Sequence, residues 1–230
     1  MSMLQSTLKA QKRALRNAIV QNLAAIAPQK VQEQTHGIVN RLASFPAFQH
    51  AESLSCYLSM PSGEVDTTSL VSEVLKSGRT LFVPKIVNKS GQMDFLKLYG
   101  MDDLASLPSG VWGIKEPDFN WQGEPRLKAL ETPELDLILL PAVAFDKSFA
   151  RLGHGKGYYD RFITTYYTTF QRRPLLVGLA LREQILEKGN IPMDQHDWSM
   201  DYIVTPDEVL VNPTSRGAPQ PQSPPLNAPL

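Results

Sequence analysis

Apolar positions in the first 45 residues recur with a helical period. Leu8, Leu15, Ile19, Leu23 and Ile26 fall on one stripe and predict a helix from about Thr7 to Ala27, with Pro28 ending it or opening the next. Val31, Ile38, Leu42 and Phe45 keep that spacing through a second helix over about residues 29–44. "SLSCYLSM" then alternates like a strand and runs into "PSGEVDT", a stretch of turn residues. Asp66 or Thr67 can cap the next helix, which carries Leu70, Val71, Val74 and Leu75 and stops at the glycine of "KSG". "RTLFVPKI" and "MDFLKLY" predict two more strands. Residues 100–132 read as loop, with Pro, Gly and Trp throughout.

"LDLILLPAVAF" is a nearly unbroken apolar run, the mark of a strand buried on both faces. "YYDRFITTYYTTF" reads as a helix despite its β-branched residues, "PLLVGLAL" as another buried strand, and "REQILEKG" as a short helix. "DYIVT" is a last strand, ended by Pro206. Strands alternating with helices predict a three-layer α/β/α sandwich. The order departs from strict alternation in the middle, which implies some antiparallel pairing in a mostly parallel sheet.

The chain has 230 residues, enough for a sizeable single core, and we expect one domain over residues 1–212. Residues 213–230 differ: six of the 18 are proline and one is charged. Such a segment cannot bury enough apolar surface to order itself, and its proline content would suit a polyproline ligand for a protein partner. The formal net charge is +0, which argues against bulk electrostatic binding of nucleic acid. No apolar run approaches the ~18 residues that span a bilayer. The single cysteine, Cys56, can form no internal disulfide and reads as a small core residue. Residues 1–32 hold no acidic residue and five basic ones, a composition shared by mitochondrial leaders and by amphipathic helices packed on a core.

Chemistry concentrates in "RLGHGKGYYDRF", residues 151–162. Glycines at 153, 155 and 157 leave backbone N–H groups unobstructed, and a helix N-terminus follows directly. Together these form an anion site, and Lys156 and Arg151 add full positive charges. The spacing matches neither the Walker A pattern nor the dinucleotide fingerprint. Asp160 is the natural ligand for a hard cation beside a phosphate, and Asp197 in "QHDWSMD" is a plausible second one. His154 and His196 are candidates for proton transfer or for supporting their neighbours.

At this point the sequence resembles the 5-formyltetrahydrofolate cyclo-ligase family, over about residues 8–206. The motifs are "KRALR", "YLSMPSGEVDT", "VWGIKEP", "LPAVAFDKSFARLGHGKGYYDRF" and "HDWSMDYIVTP". The resemblance implies a Rossmann-like core and closure of 5-formyltetrahydrofolate to 5,10-methenyltetrahydrofolate with ATP and Mg²⁺. ADP and phosphate are released through a phosphorylated formyl intermediate. It implies an ATP site of Lys12, Arg13, Arg16, Arg151, Gly153, His154, Gly155, Lys156, Gly157 and Tyr158. Lys156, Arg151 and Tyr158 would serve the chemistry, and Asp160 and Asp197 the metal. The folate pocket would be Leu58, Met60, Glu64, Trp112, Tyr158 and Tyr159. A helix that contacts ATP could not be cleaved away, which favours a cytoplasmic protein and leaves room for an uncleaved mitochondrial import signal. The rival reading is a relative that binds another phosphorylated ligand without cyclo-ligase activity.

Overall fold

Alternation of apolar side chains is the feature that builds the centre of the molecule. In the computed structural model, which describes residues 3–88, 91–110 and 113–215, the chain orders as α1 (Met3–Ala24), α2 (Pro28–Ala43), α3 (Pro46–Gln49), β1 (Ser53–Cys56), α4 (Thr68–Lys76), β2 (Thr80–Ile86) and β3 (Met93–Leu98). Next come α5 (Met101–Ser106), a small hairpin β4 (Asn120–Trp121) and β5 (Glu124–Pro125), β6 (Leu137–Leu140), β7 (Ala144–Asp146), β8 (Arg151–Leu152) and α6 (Tyr158–Phe170). The chain finishes through β9 (Leu175–Leu179), β10 (Ile185–Leu186), β11 (Tyr202–Val204) and β12 (Val209–Val211).

Seven strands form the main sheet in the order β12-β11-β9-β6-β1-β2-β3. The five inner strands are parallel, and the two edge strands, β3 and β12, run antiparallel to their neighbours. Leu54, Cys56, Leu137, Leu139 and Val177 point to one face. There they pack with Ile19 and Leu23 of α1, Ile38 and Leu42 of α2, and Leu70 and Val74 of α4. Ile138, Leu140, Leu176 and Ile203 point to the other face, against Phe162, Ile163 and Tyr166 of α6. Each such side chain contributes about 1.5–3 kcal/mol by leaving water. The three-layer architecture expected from the sequence is thus present, with antiparallel pairing at both margins.

The strand connections locate the site. From β1 the chain crosses by α4 to β2 on one side, and from β6 it crosses by α6 to β9 on the other. The topology therefore switches direction between β1 and β6, and ligands of open α/β sheets settle at the carboxyl ends of such a pair.

Several elements differ from the sequence expectation. "REQILEKG" is not a helix: Arg182–Gln184 form one 3₁₀ turn and Ile185–Leu186 pair in parallel with β7. The fully buried Gln184 amide accounts for this. Its Nε2 donates to the Ala142 carbonyl at 2.6 Å and its Oε1 accepts from Leu181 N–H at 2.9 Å, tying the segment to β7 rather than to a helical turn. The run "LDLILLPAVAF" breaks at Pro141 into β6 and β7, and β7 joins β8 and β10 in a separate three-stranded sheet.

Within the expected loop 100–132 lies α5, anchored by a buried ion pair. Arg126 Nη1 and Nη2 reach the two Asp103 carboxylate oxygens at 2.5 Å each. The last strand is β12, beyond Pro206, and the chain stays attached to the domain through Ser215, whose hydroxyl donates to Asp201 at 2.8 Å. The tail from residue 216 onward, and Trp112 of the folate expectation, lie outside the described residues.

Candidate active site

A cavity of about 450 Å³ opens over the carboxyl ends of β1 and β6. Tyr57 and Leu58 follow β1 directly, Pro141 follows β6, and all three line it. The chain has placed its glycine loop, the N-terminal helix and the "PSGEVDT" loop around this one opening.

One end is cationic. Behind it the turn 146–150 is organised by the buried Asp146 carboxylate. That group accepts from Ser148 N–H at 2.9 Å, Ser148 Oγ at 2.7 Å, Ala150 N–H at 3.1 Å and Ile191 N–H at 3.1 Å. This fixes the next residue, Arg151, on the cavity wall. Arg151 Nη2 donates to Asp160 Oδ2 at 2.6 Å, and its guanidinium sits 5.5 Å from the centre of the Tyr159 ring. Its Nε is buried with no partner, one donor left over on this wall.

The loop 153–157 follows. Gly155 and Gly157 take φ of +94° and +66°, a region where a side chain is strained, and Gly157 stands at the N-cap of α6 with no side chain to satisfy the first-turn N–H groups. From α1, Arg16 Nε donates to the Gly153 carbonyl at 2.6 Å and Lys12 pairs with Asp197. Asp197 Oδ2 also accepts from Asp194 N–H at 2.7 Å. His154 faces this end, and desolvation together with Arg16 and Arg151 lowers its pKa, so the ring is neutral at pH 7. Lys156 is exposed on the loop.

The other end is apolar around one acid. Glu64 is 6% exposed and accepts from Met60 N–H at 2.6 Å. Burial raises its carboxyl to a pKa of about 7, against the opposing pull of that N–H. Leu58, Met60 and Tyr159 line the cavity with it, and burial followed by the charge of Glu64 pushes the Tyr159 hydroxyl upward. Pro84, Ile86, Met93 and Ile114 continue the apolar wall. Burial likewise raises the Cys56 thiol, which keeps it a protonated core residue beneath the floor.

Asp160 and Asp197 both line the cavity, and they differ in what already occupies them. Asp160 uses Oδ2 for Arg151 and Oδ1 for the Trp198 N–H at 3.2 Å, whereas the bonds of Asp197 converge on Oδ2. Among the described residues no group of three or more His, Cys, Asp or Glu side chains could enclose a metal ion. The donor set therefore suits a hard cation that brings most of its own oxygen ligands, as one carried by a polyphosphate does.

Of the residues expected from the sequence, Lys12, Arg16, Leu58, Met60, Glu64, Arg151, the run Gly153–Asp160 and Asp197 all meet at this cavity. Arg13 does not line it and is exposed on α1. The sequence reading missed Tyr57, Lys9, Asp194 and the wall from Pro84 to Ile114. Tyr57 was accessible in principle, as the first residue beyond a buried strand. Ile114, Lys115 and Glu116 lay inside the quoted "VWGIKEP" but carried no chemical signal by themselves. Among the described residues, no helix is long and apolar enough to cross a membrane.

Comparison with known proteins identifies the family. The profile of the 5-formyltetrahydrofolate cyclo-ligase family matches residues 8–206. The chain is 36% identical to a probable 5-formyltetrahydrofolate cyclo-ligase of Caenorhabditis elegans, covering 90% of this chain and 98% of that protein. It is 33% identical to the 5-formyltetrahydrofolate cyclo-ligase of Mus musculus, covering 87% and 96%. The structure of Aquifex aeolicus 5,10-methenyltetrahydrofolate synthetase superposes with a TM-score of 0.69 at 29% identity, over 92% of this chain and 97% of that one. With a family profile spanning residues 8–206 and relatives more than 30% identical over most of its length, the chain belongs to the 5-formyltetrahydrofolate cyclo-ligase family of enzymes.

Proposed function

We propose that this enzyme uses ATP and Mg²⁺ to close 5-formyltetrahydrofolate to 5,10-methenyltetrahydrofolate, releasing ADP and phosphate. The observation that carries the reading is the polarity of this cavity. Its cationic end suits a triphosphate and its acid-bearing apolar end suits a pterin. The N5-formyl group is an amide and a poor electrophile. Its oxygen attacks the γ-phosphorus, forming an O–P bond as the bond to the β-phosphate oxygen breaks and ADP leaves. N10 then attacks the activated formyl carbon. The C–O bond breaks, phosphate takes the electron pair, and the N10 proton is lost. No enzyme nucleophile is required, so the protein's work is to neutralise phosphate charge, align two substrates and exclude water.

Lys156, Arg151 and Arg16 supply the charge, and the N–H groups of the loop and of the first turn of α6 receive phosphate oxygens. Tyr158 flanks the transferring group from that first turn. Asp160 and Asp197 would hold Mg²⁺, whose chemistry is to offset charge across the triphosphate. For this, Arg151 and Lys12 exchange their carboxylate partners for phosphate oxygens. Glu64 accepts N–H bonds from the pterin ring, while Tyr159, Leu58 and Met60 pack on its faces.

We also infer a cytoplasmic location, with mitochondrial import by an uncleaved signal as the alternative, because a leader cleaved within α1 would take Lys12 and Arg16 from the cavity wall. A carboxyl-terminal fluorescent fusion that collects in mitochondria would contradict it. For the reaction itself, purified protein with 5-formyltetrahydrofolate and Mg²⁺ should develop the methenyl absorbance only on addition of ATP. ATP-independent formation, or none, rejects the reading.

A further inference from the structure

Three large apolar side chains stand exposed together on a second concave surface. Tyr99, Phe119 and Leu127 are 47%, 45% and 36% exposed, and with Pro125 they line an open groove of about 520 Å³. None of its lining residues lines the active-site cavity. The groove follows the outer edge of β3, where Lys97 N–H donates to the Leu127 carbonyl at 3.0 Å and Leu96 bridges Lys128. Buried Arg126 holds its rings in place. The guanidinium lies 5.9 Å from the centre of the Tyr99 ring and 5.4 Å from that of Trp121, and donates to the Asp118 carbonyl at 2.8 Å and the Lys97 carbonyl at 2.9 Å besides Asp103. The Tyr99 hydroxyl accepts from Leu127 N–H at 3.2 Å, and the Phe119 carbonyl accepts from Arg126 N–H at 2.8 Å. Exposed rings on so fixed a backbone lose little further freedom when something covers them.

The chain carries a segment of matching chemistry. Residues 216–230 include five prolines, and residues 217–230 have no charge. A polyproline stretch offers flat rings and backbone carbonyls, with no N–H at its prolines, so it suits aromatic side chains flanked by donors. Asn120 and Lys128 are such donors on this groove, and Lys128 has only an exposed pairing with Glu131 at 4.0 Å. The reach also fits. The Ser215 bond to Asp201 leaves the chain at the amino end of β11. Tyr99 follows Leu98, which pairs with Leu81 near the amino end of β2. Both points therefore lie at the same end of the main sheet, five strand steps apart. Five steps come to about 24 Å. At about 3.1 Å per residue, residues 216–224 extend about 28 Å. We propose that the segment around Pro224 and Pro225 docks on the groove of Tyr99, Phe119 and Leu127 of its own chain. Docking needs nothing from the active-site cavity, so it stands whether or not the reaction proposed above holds.

The experiment titrates a fluorescein-labelled peptide of residues 216–230 with full-length protein and reads anisotropy. Wild type is compared with a full-length variant carrying Pro224→Gly and Pro225→Gly, whose own segment has lost the rings and stiffness that docking needs. The glycine variant should bind the peptide about tenfold more tightly than wild type. That is the competition expected when a tethered segment at about 1 mM effective concentration opposes a dissociation constant of about 100 µM. Adding Phe119→Ala to the glycine variant should weaken peptide binding at least fivefold, since the exposed ring is lost while its backbone carbonyl still accepts from Arg126. A labelled peptide bearing the two glycines should bind at least fivefold more weakly to an unaltered groove. Equal binding by wild type and the glycine variant, no binding by either, or binding indifferent to Phe119→Ala overturns the proposal. Sedimentation of wild type as a dimer that the glycine variant does not form assigns the segment to a second copy and overturns docking on its own chain.

Discussion

Replacing Glu64 with glutamine should stabilise the substrate-free protein at alkaline pH while weakening folate binding. The Glu64 carboxyl is buried, and its pKa rises from an ordinary 4.5 to about 7. At 1.36 kcal/mol per pKa unit this rise corresponds to about 3 kcal/mol as an order of magnitude. The folded state prefers the neutral acid. The contribution of Glu64 to stability is thus fully present below pH 4.5 and is lost as pH rises through 7, where the fold must hold a buried charge. Glutamine stays neutral throughout and can still accept the Met60 N–H. Urea unfolding without ligands should therefore show variant and wild type keeping a constant offset below pH 4.5, with the variant gaining up to about 3 kcal/mol by pH 8. Folate affinity should move the other way. In the proposed site the carboxylate accepts pterin N–H bonds, so wild-type KM should fall as pH passes 7, and the variant's KM should be high and flat. A stability difference that does not change with pH would refute the burial cost. A KM for the variant matching wild type at pH 8 would remove Glu64 from the pterin site.

Further expectations follow from the same geometry. Lys156→Ala should lower kcat by roughly two to three orders of magnitude with circular dichroism unchanged, since Lys156 is exposed and in the proposed site offers charge to the phosphates; near-normal turnover would exclude that role. Asp160→Asn loses the charge facing Arg151, so half-saturation by Mg²⁺ should rise about tenfold or more; a superimposable Mg²⁺ titration would confine Asp160 to a structural part. Gly178→Ala places a methyl 2.5 Å from the buried Phe145 ring, an overpacking that should cost about 1–3 kcal/mol; an unchanged melting temperature would mean that the ring moves aside freely.

The parts of this protein legible from sequence are those decided by neighbours in the chain. Ile19 and Leu23, or Ile138 and Leu140, announce a buried face because burial repeats with the local period. The conformation of the glycine loop was legible for the same reason: Gly153, Gly155 and Gly157 lead straight into the α6 terminus, with Lys156 and Arg151 in the same stretch. Segment 182–186 was misread because its conformation is set by Ala142 and β7, some 40 residues earlier, which outweigh a modest helical pattern.

Folding alone decided which charges meet. Lys12 and Asp197 are 185 positions apart, and Arg16 and Gly153 are 137 apart, yet they close the same wall. Nothing local marks Glu64 as different from a solvated surface acid; burial in the folded chain gives it a pKa near neutrality. Periodicity and backbone freedom are properties of a segment. Desolvation and charge pairing are properties of a place, and that place exists only once β1 and β6 lie side by side.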